Sequence, residues 1–357
     1  MLTVLLLGII CVFTAYLSRF KESQWGLKLS FILIFLFLAL RYNYGNDYKT
    51  YYLMFNAISK ESLTDLFNPL PLYEPGWIII NWLFKRMGFF SMNIFIAAIS
   101  CIIYYNFIVT FLDKKYYWLA VFIYIFYPGF MLLHTTAMRQ SLSIMLFVYS
   151  YKFIIDRKFT KYFLTSVLAI SFHYTAVILI PIYLIVFFKK RVNLLLGGTL
   201  FAIYTYLLFF GSSIAPYMKL LINNFYEKYE AYSDPSAVSS GLGFIYYTFL
   251  FVLILYFEKF QINSISRLFK ITIVGFLFIP LPLIIDMTGR MLMYFTPATI
   301  VTYPILAKTI ISPYSRLAFI AFFILISLFQ FIQFMYSDIY NPYFFEYNTI
   351  FSAPVWQ

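Results

Sequence analysis

Apolar stretches of about 18 or more residues recur along the whole chain, separated by short polar breaks. Each is long enough to cross a hydrocarbon core roughly 30 Å thick. Backbone groups facing lipid must be satisfied within their own segment, so the pattern predicts membrane helices. The first run reads as a retained helix, because it has neither a basic start nor a small-residue cleavage pattern. The second, about residues 27–40, stops abruptly at RYNYGNDYKTYY, twelve residues that hold five tyrosines, an arginine and an aspartate. Further runs at 91–112, 116–134, 137–155, 192–210, 242–257, 267–285, 290–307 and 317–336 alternate across the membrane.

Two segments break the alternation. In EPGWIIINWLFKRMGFF, Glu74 and Pro75 look like a helix start and Gly88 like its end. About 13 residues at 1.5 Å each give roughly 20 Å, short of a span. With Asn81 and Lys85 one turn apart, an interfacial or re-entrant amphipathic helix is expected. The run at 162–188 has basic residues at both ends and is too short for two crossings, so two short helices meeting part-way are expected, with His173 near the bend.

Placing the Arg19–Lys28 loop in the cytoplasm puts 17 of the 26 Lys and Arg residues inside, as the positive-inside rule requires. The expected fold is an all-α polytopic membrane protein with about 10–12 transmembrane helices, counting the split pair near 162–188. It forms a single membrane domain over residues 1–357, with periplasmic segments 41–90, 211–241 and 337–357.

Composition agrees: the chain is 63% hydrophobic and 11% charged, with a mean hydropathy of +0.83, which excludes a water-soluble domain. The net charge of +12 is spread over the loops without a basic block, so nucleic acid is not an expected partner. Cys11 and Cys101 read as small buried hydrophobes. There is no D-x-D, GxxxxGK[ST], HExxH or CxxC, so neither a nucleotide, a metal nor another cofactor is expected.

This topology gathers Arg41, Arg139, His173 and Arg290 at the outer end of the bundle. An arginine within an apolar segment costs about 2.5–3.5 kcal/mol on insertion scales and is usually retained for a partner or ligand. Converging guanidinium groups call for an anion, and their planar forks suit phosphate oxygens. Blander readings stand beside this one. Arg139 is also explained as a helix-end residue snorkelling to the interface, Arg290 as an ion-pair partner of Asp286, and Arg41 as an interfacial anchor. His173 is either a base or a packed imidazole on a freed carbonyl, and His134 is structural or adjacent to substrate. Asp47 and Glu74 are placed to bond a polar substrate or orient a base, with solvation and helix capping as alternatives. Tyr44 and Tyr48, like the NNFYEKYEAY stretch at 223–232, offer apolar faces with hydroxyl handles that suit carbohydrate.

In this order, LRYNYGNDYKTYY, YEPGWIIINWLFKRMGF, AMRQSLSIMLFVYSYKFIIDRKFTKYFLTSVLAISFHYTAVILIPIYL and GRMLMYF resemble the EpsG-type branch of bacterial Wzy-like polysaccharide polymerases. The resemblance covers about residues 40–300 and is most specific in the R-Q helix followed by the A-x-x-F-H-type stretch ending at His173. It implies a GT-C-like inner-membrane glycosyltransferase with its active site towards the periplasm. Such an enzyme acts on undecaprenyl-pyrophosphate-linked oligosaccharide and transfers the growing glycan to the non-reducing end of a new repeat unit. The family's arginines carry over to Arg41, Arg139 and Arg290, and its histidine to His173. Membrane lipid, a chain-length regulator and a flippase of the same pathway are the implied partners. A lipid-linked oligosaccharide flippase, a glycan ligase and a membrane acyltransferase are the alternatives.

Overall fold

A computed structural model describes residues 1–20, 24–66, 73–187, 190–217 and 241–351. The aromatic stretch at 223–232 therefore lies outside the described residues, as do most of the expected 211–241 loop and the end of the 337–357 segment. The helices are α1 (Leu2–Leu17), α2 (Trp25–Leu40), α3 (Tyr48–Lys60), α4 (Leu63–Leu66), α5 (Pro75–Phe84), α6 (Phe89–Phe111), α7 (Tyr117–Phe126), α8 (Leu133–Thr136), α9 (Met138–Ile155) and α10 (Phe159–Phe172). Further helices follow at Leu194–Phe210, Gly241–Glu258, Asn263–Phe278, Met287–Phe295, Thr299–Thr309 and Pro313–Tyr336. Among the described residues four helical segments, Phe89–Phe111, Leu194–Ser213, Asn263–Leu283 and Pro313–Tyr336, are long and apolar enough to cross a membrane, and shorter apolar helices accompany them. The protein is an all-α polytopic membrane protein.

Two compact units divide the chain. The first comprises Met1–Tyr149, Leu164–Tyr174 and Ile310–Gln357. Its α1, α2, α6 and α7 pack on one another, and the α1–α2 contact is close because a Cβ at Gly26 would meet the Thr14 carbonyl at 2.2 Å. Hydroxyls fill that crossing: Thr14 and Ser30 are 2.8 Å apart, and Ser30 also bonds the Cys11 carbonyl. Cys11 and Cys101 are buried and free.

One feature of this unit has no counterpart in the apolar pattern. The two-residue strand β1 (Arg41–Tyr42) pairs antiparallel with β2 (Asn348–Thr349), Arg41 opposite Thr349 and Tyr42 opposite Asn348. Tyr347 stacks on Phe37 at 4.4 Å and donates to its carbonyl at 2.7 Å, so the tail is fastened over the end of α2.

The second unit comprises Ser150–Phe163 and Thr175–Thr309. Its Asn263–Phe278 helix packs against Gly241–Glu258 and Met287–Phe295. At one end the fully buried Glu258 accepts from the Val192 amide at 2.8 Å and from the Ser266 hydroxyl, with Lys270 at 3.6 Å and Arg191 at 3.8 Å. This carboxylate ties residues 191–192 to two helices of the unit.

The two segments that break the alternation take distinct forms. The helix α10 ends at Phe172, and a shorter mixture of 3-10 and α turns runs from Tyr174 to Phe187, so the break falls at His173 as expected. Within the 74–90 segment a ten-residue helix runs from Pro75 to Phe84. Asn81 is fully buried, with its amide bonded to the Trp77 carbonyl, while Ile79 and Leu83 face outward. In a lipid environment the apolar side is the outer one, and the polar side turns inward because Asn81 satisfies a donor within its own helix.

Candidate active site

The site grows from the start of α5. Pro75 occupies the first turn, where its fixed φ suits a helix and its missing N–H is not needed. Glu74 sits at the N-cap position, yet its side chain makes no capping hydrogen bond. Instead the carboxylate is 5% exposed and bridges two groups distant in sequence. Oε2 accepts from Arg139 Nη1 at 2.6 Å, and Oε1 lies 3.3 Å from His173 Nδ1.

Gly76 makes this reach possible. A Cβ there would lie 2.5 Å from Ser171 Oγ and 2.9 Å from the Ser171 carbonyl oxygen, so only glycine lets α5 approach the end of α10. That end is itself fixed: the His173 amide bonds the Ala169 carbonyl at 3.1 Å, and Ser143 Oγ donates to the same carbonyl at 2.8 Å.

Arg139 enters on the first turn of α9, with its side chain 24% exposed. Besides Glu74 it hydrogen-bonds Tyr51 of α3, whose ring packs edge-on against Trp77 at 5.2 Å. Its Nε has no acceptor among the described residues. The guanidinium is therefore held along one part of its fork, with a donor left over. Burial alone pushes the Glu74 carboxyl up, but the His173 hydrogen bond and the Arg139 charge outweigh it and hold it down at about 2.

Arg41 is placed differently. Its side chain is 2% exposed, with Nη1 donating to the Leu38 carbonyl at 2.6 Å and Nη2 to the His134 carbonyl at 3.4 Å. Burial lowers it to about 10, with Tyr48 and Tyr347 acting in the opposite direction. It stays charged at neutral pH and clasps the ends of α2 and α8. The loop that carries it is pressed onto α8 at Gly45, whose φ of +112° favours glycine and whose Cβ would meet the Thr135 carbonyl at 2.2 Å.

Tyr44 and Tyr48 are buried against protein rings. Tyr44 packs with Phe37, Phe344 and Tyr347, and Tyr48 with Tyr42 and Phe89. Asp47 is half-buried at the N-cap position of α3, close enough to Tyr51 for its charge to be felt. His134 is buried, with Nε2 3.1 Å from the Ser100 hydroxyl and its ring edge-on to Tyr104. Arg290 belongs to the second unit, half-buried on Met287–Phe295 four residues after Asp286. Thus Glu74, Arg139 and His173 are joined directly, while Arg41, Tyr44 and Tyr48 form a packed region bounded by the tail.

The sequence reading passed over Tyr51, Gly76 and Tyr347. Gly76 alone carried a local signal, a glycine directly after the Glu-Pro pair. Among the described residues no group of three or more His, Cys, Asp or Glu side chains is placed to hold a metal ion.

A family model described as the EpsG family matches residues 25–349, nearly the whole chain and all the site residues above. No curated protein and no solved structure matches significantly.

Proposed function

The chain belongs to the EpsG family, and we propose that it is a membrane glycosyltransferase that polymerises undecaprenyl-pyrophosphate-linked oligosaccharide repeat units at the periplasmic face of the inner membrane. The observation that carries this reading is the Arg139–Glu74–His173 constellation. It sets an anion-binding donor and a proton acceptor on one carboxylate within an apolar bundle.

In the proposed reaction, the bond between the anomeric carbon of the growing glycan and its pyrophosphate oxygen breaks. A bond forms from that carbon to a hydroxyl at the non-reducing end of the incoming unit. His173 takes the hydroxyl proton as general base. The leaving pyrophosphate needs charge compensation rather than protonation, which Arg139 provides through its remaining donors. Arg41 supports the reaction from its buried position by fixing the loop and adding positive field. Asp47 is the group of this loop that meets the sugar, while Tyr44 and Tyr48 pack the loop that carries Arg41.

The test is reconstitution of the purified protein in liposomes with its lipid-linked repeat unit, adding neither nucleotide sugar nor metal. The expected product is a ladder spaced by one repeat. A single unchanged band from folded protein with authentic substrate would overturn the reading in favour of a flippase or ligase.

A further inference from the structure

We infer that Glu74 is the positioning residue of the site, fixing the imidazole tautomer of His173 and the orientation of the Arg139 fork at the same time. The inference rests on the proposed glycosyl transfer for its catalytic sense, and on geometry alone for the tautomer.

A carboxylate offers only acceptors, and both oxygens of Glu74 are engaged, one by Arg139 and one by His173. A neutral imidazole carries one N–H. Facing a carboxylate oxygen at 3.3 Å, that N–H belongs on Nδ1, so Nε2 is the basic nitrogen. When Nε2 takes a proton, the imidazolium forms beside an anion already in place. On its other oxygen the same anion holds Arg139 Nη1, leaving Nε, buried and without an acceptor among the described residues, as a donor for a phosphate oxygen. Base and anion binder are thereby held in register by one side chain.

The placement has no simpler explanation. Glu74 is at an N-cap position but does not cap, and a carboxylate needed only for solubility would not be 95% buried. The titratable groups around the pair include Glu74 from the start of α5, Arg139 from α9, and Tyr51 from α3 through its bond to Arg139, with Asp47 near enough to Tyr51 for its charge to be felt. Glu74 is the anion in contact with both Arg139 and His173.

Glu74→Gln separates this role from mere packing. The amide keeps the shape but has a single acceptor. With its oxygen on Arg139, the stronger donor, its NH₂ faces His173 Nδ1 and imposes the opposite tautomer, with the proton on Nε2. The chain has two histidines, so protein labelled with ¹⁵N-histidine gives two imidazole spin systems, assigned with a His134→Gln variant.

The expected result is His173 as the Nδ1–H tautomer in the wild type and as Nε2–H in E74Q. In the polymerisation assay kcat falls by about 100-fold or more, and Glu74→Asp recovers part of the rate. An Nε2–H tautomer in the wild type, or the same His173 spectrum in both proteins, would overturn the inference. The wild-type spectrum needs neither E74Q nor turnover, so the inference is tested even if E74Q does not fold. A wild type that shows the Nδ1–H tautomer but yields no ladder places the failure in the polymerase reading alone.

Discussion

Each unit contains a buried carboxylate with basic neighbours, and the contrast between them separates a structural tie from a reactive site. Glu258 of the second unit is closed: a backbone amide, a hydroxyl, a lysine and an arginine surround it, all from short stretches at 191–192 and 266–270. Glu74 of the first unit has partners 65 and 99 residues away, and one of them, Arg139, has a donor to spare. Buried ion pairs are weak evidence for stability as such. What distinguishes Glu74 is an imidazole that shares the anion with a guanidinium.

Substitution tests the contrast most severely at Arg139. Arg139→Ala should abolish chain extension, by about 100-fold or more, while the protein remains folded in the membrane, as read on the product ladder. Gly76→Ala acts on the same site through the backbone. The added Cβ overlaps Ser171, so α5 must shift away from His173, lowering the rate by about tenfold and stability by about 1–3 kcal/mol. Glu258→Gln should do the reverse, costing about 3 kcal/mol of stability in a thermal melt while the rate per folded molecule stays within about twofold of wild type.

The smallest expected effect is a pH dependence of stability. The folded-state value of Glu74, about 2, lies below the ordinary 4.5. Its ionised form therefore stabilises the folded state fully above about 4.5, and that contribution is lost as pH falls towards 2. Melting temperatures of wild type and Glu74→Gln should accordingly draw together below pH 4.5.

The helical class and the break at His173 were legible because membrane helices announce themselves by local composition, and the basic residues at both ends of 162–188 ruled out simple crossings. The β1–β2 pairing was not, since two-residue strands have no period to detect and these lie about three hundred residues apart. The inward face of Asn81 was hidden for a related reason: helical spacing says which residues share a side, not whether that side meets lipid or protein. Arg139 and His173 stood out as polar groups in apolar surroundings. Their link through Glu74 did not, because a glutamate before a proline already has a local explanation as a cap.

The pairing of Arg41–Tyr42 with Asn348–Thr349 also bears on how the protein is made. The strand partner of the loop after α2 is synthesised about three hundred residues later. At about 5–20 residues per second, the interval is on the order of tens of seconds. Throughout that time the loop bearing Arg41 waits for its strand, so the first unit cannot close over α2 until residues 348–349 have been made.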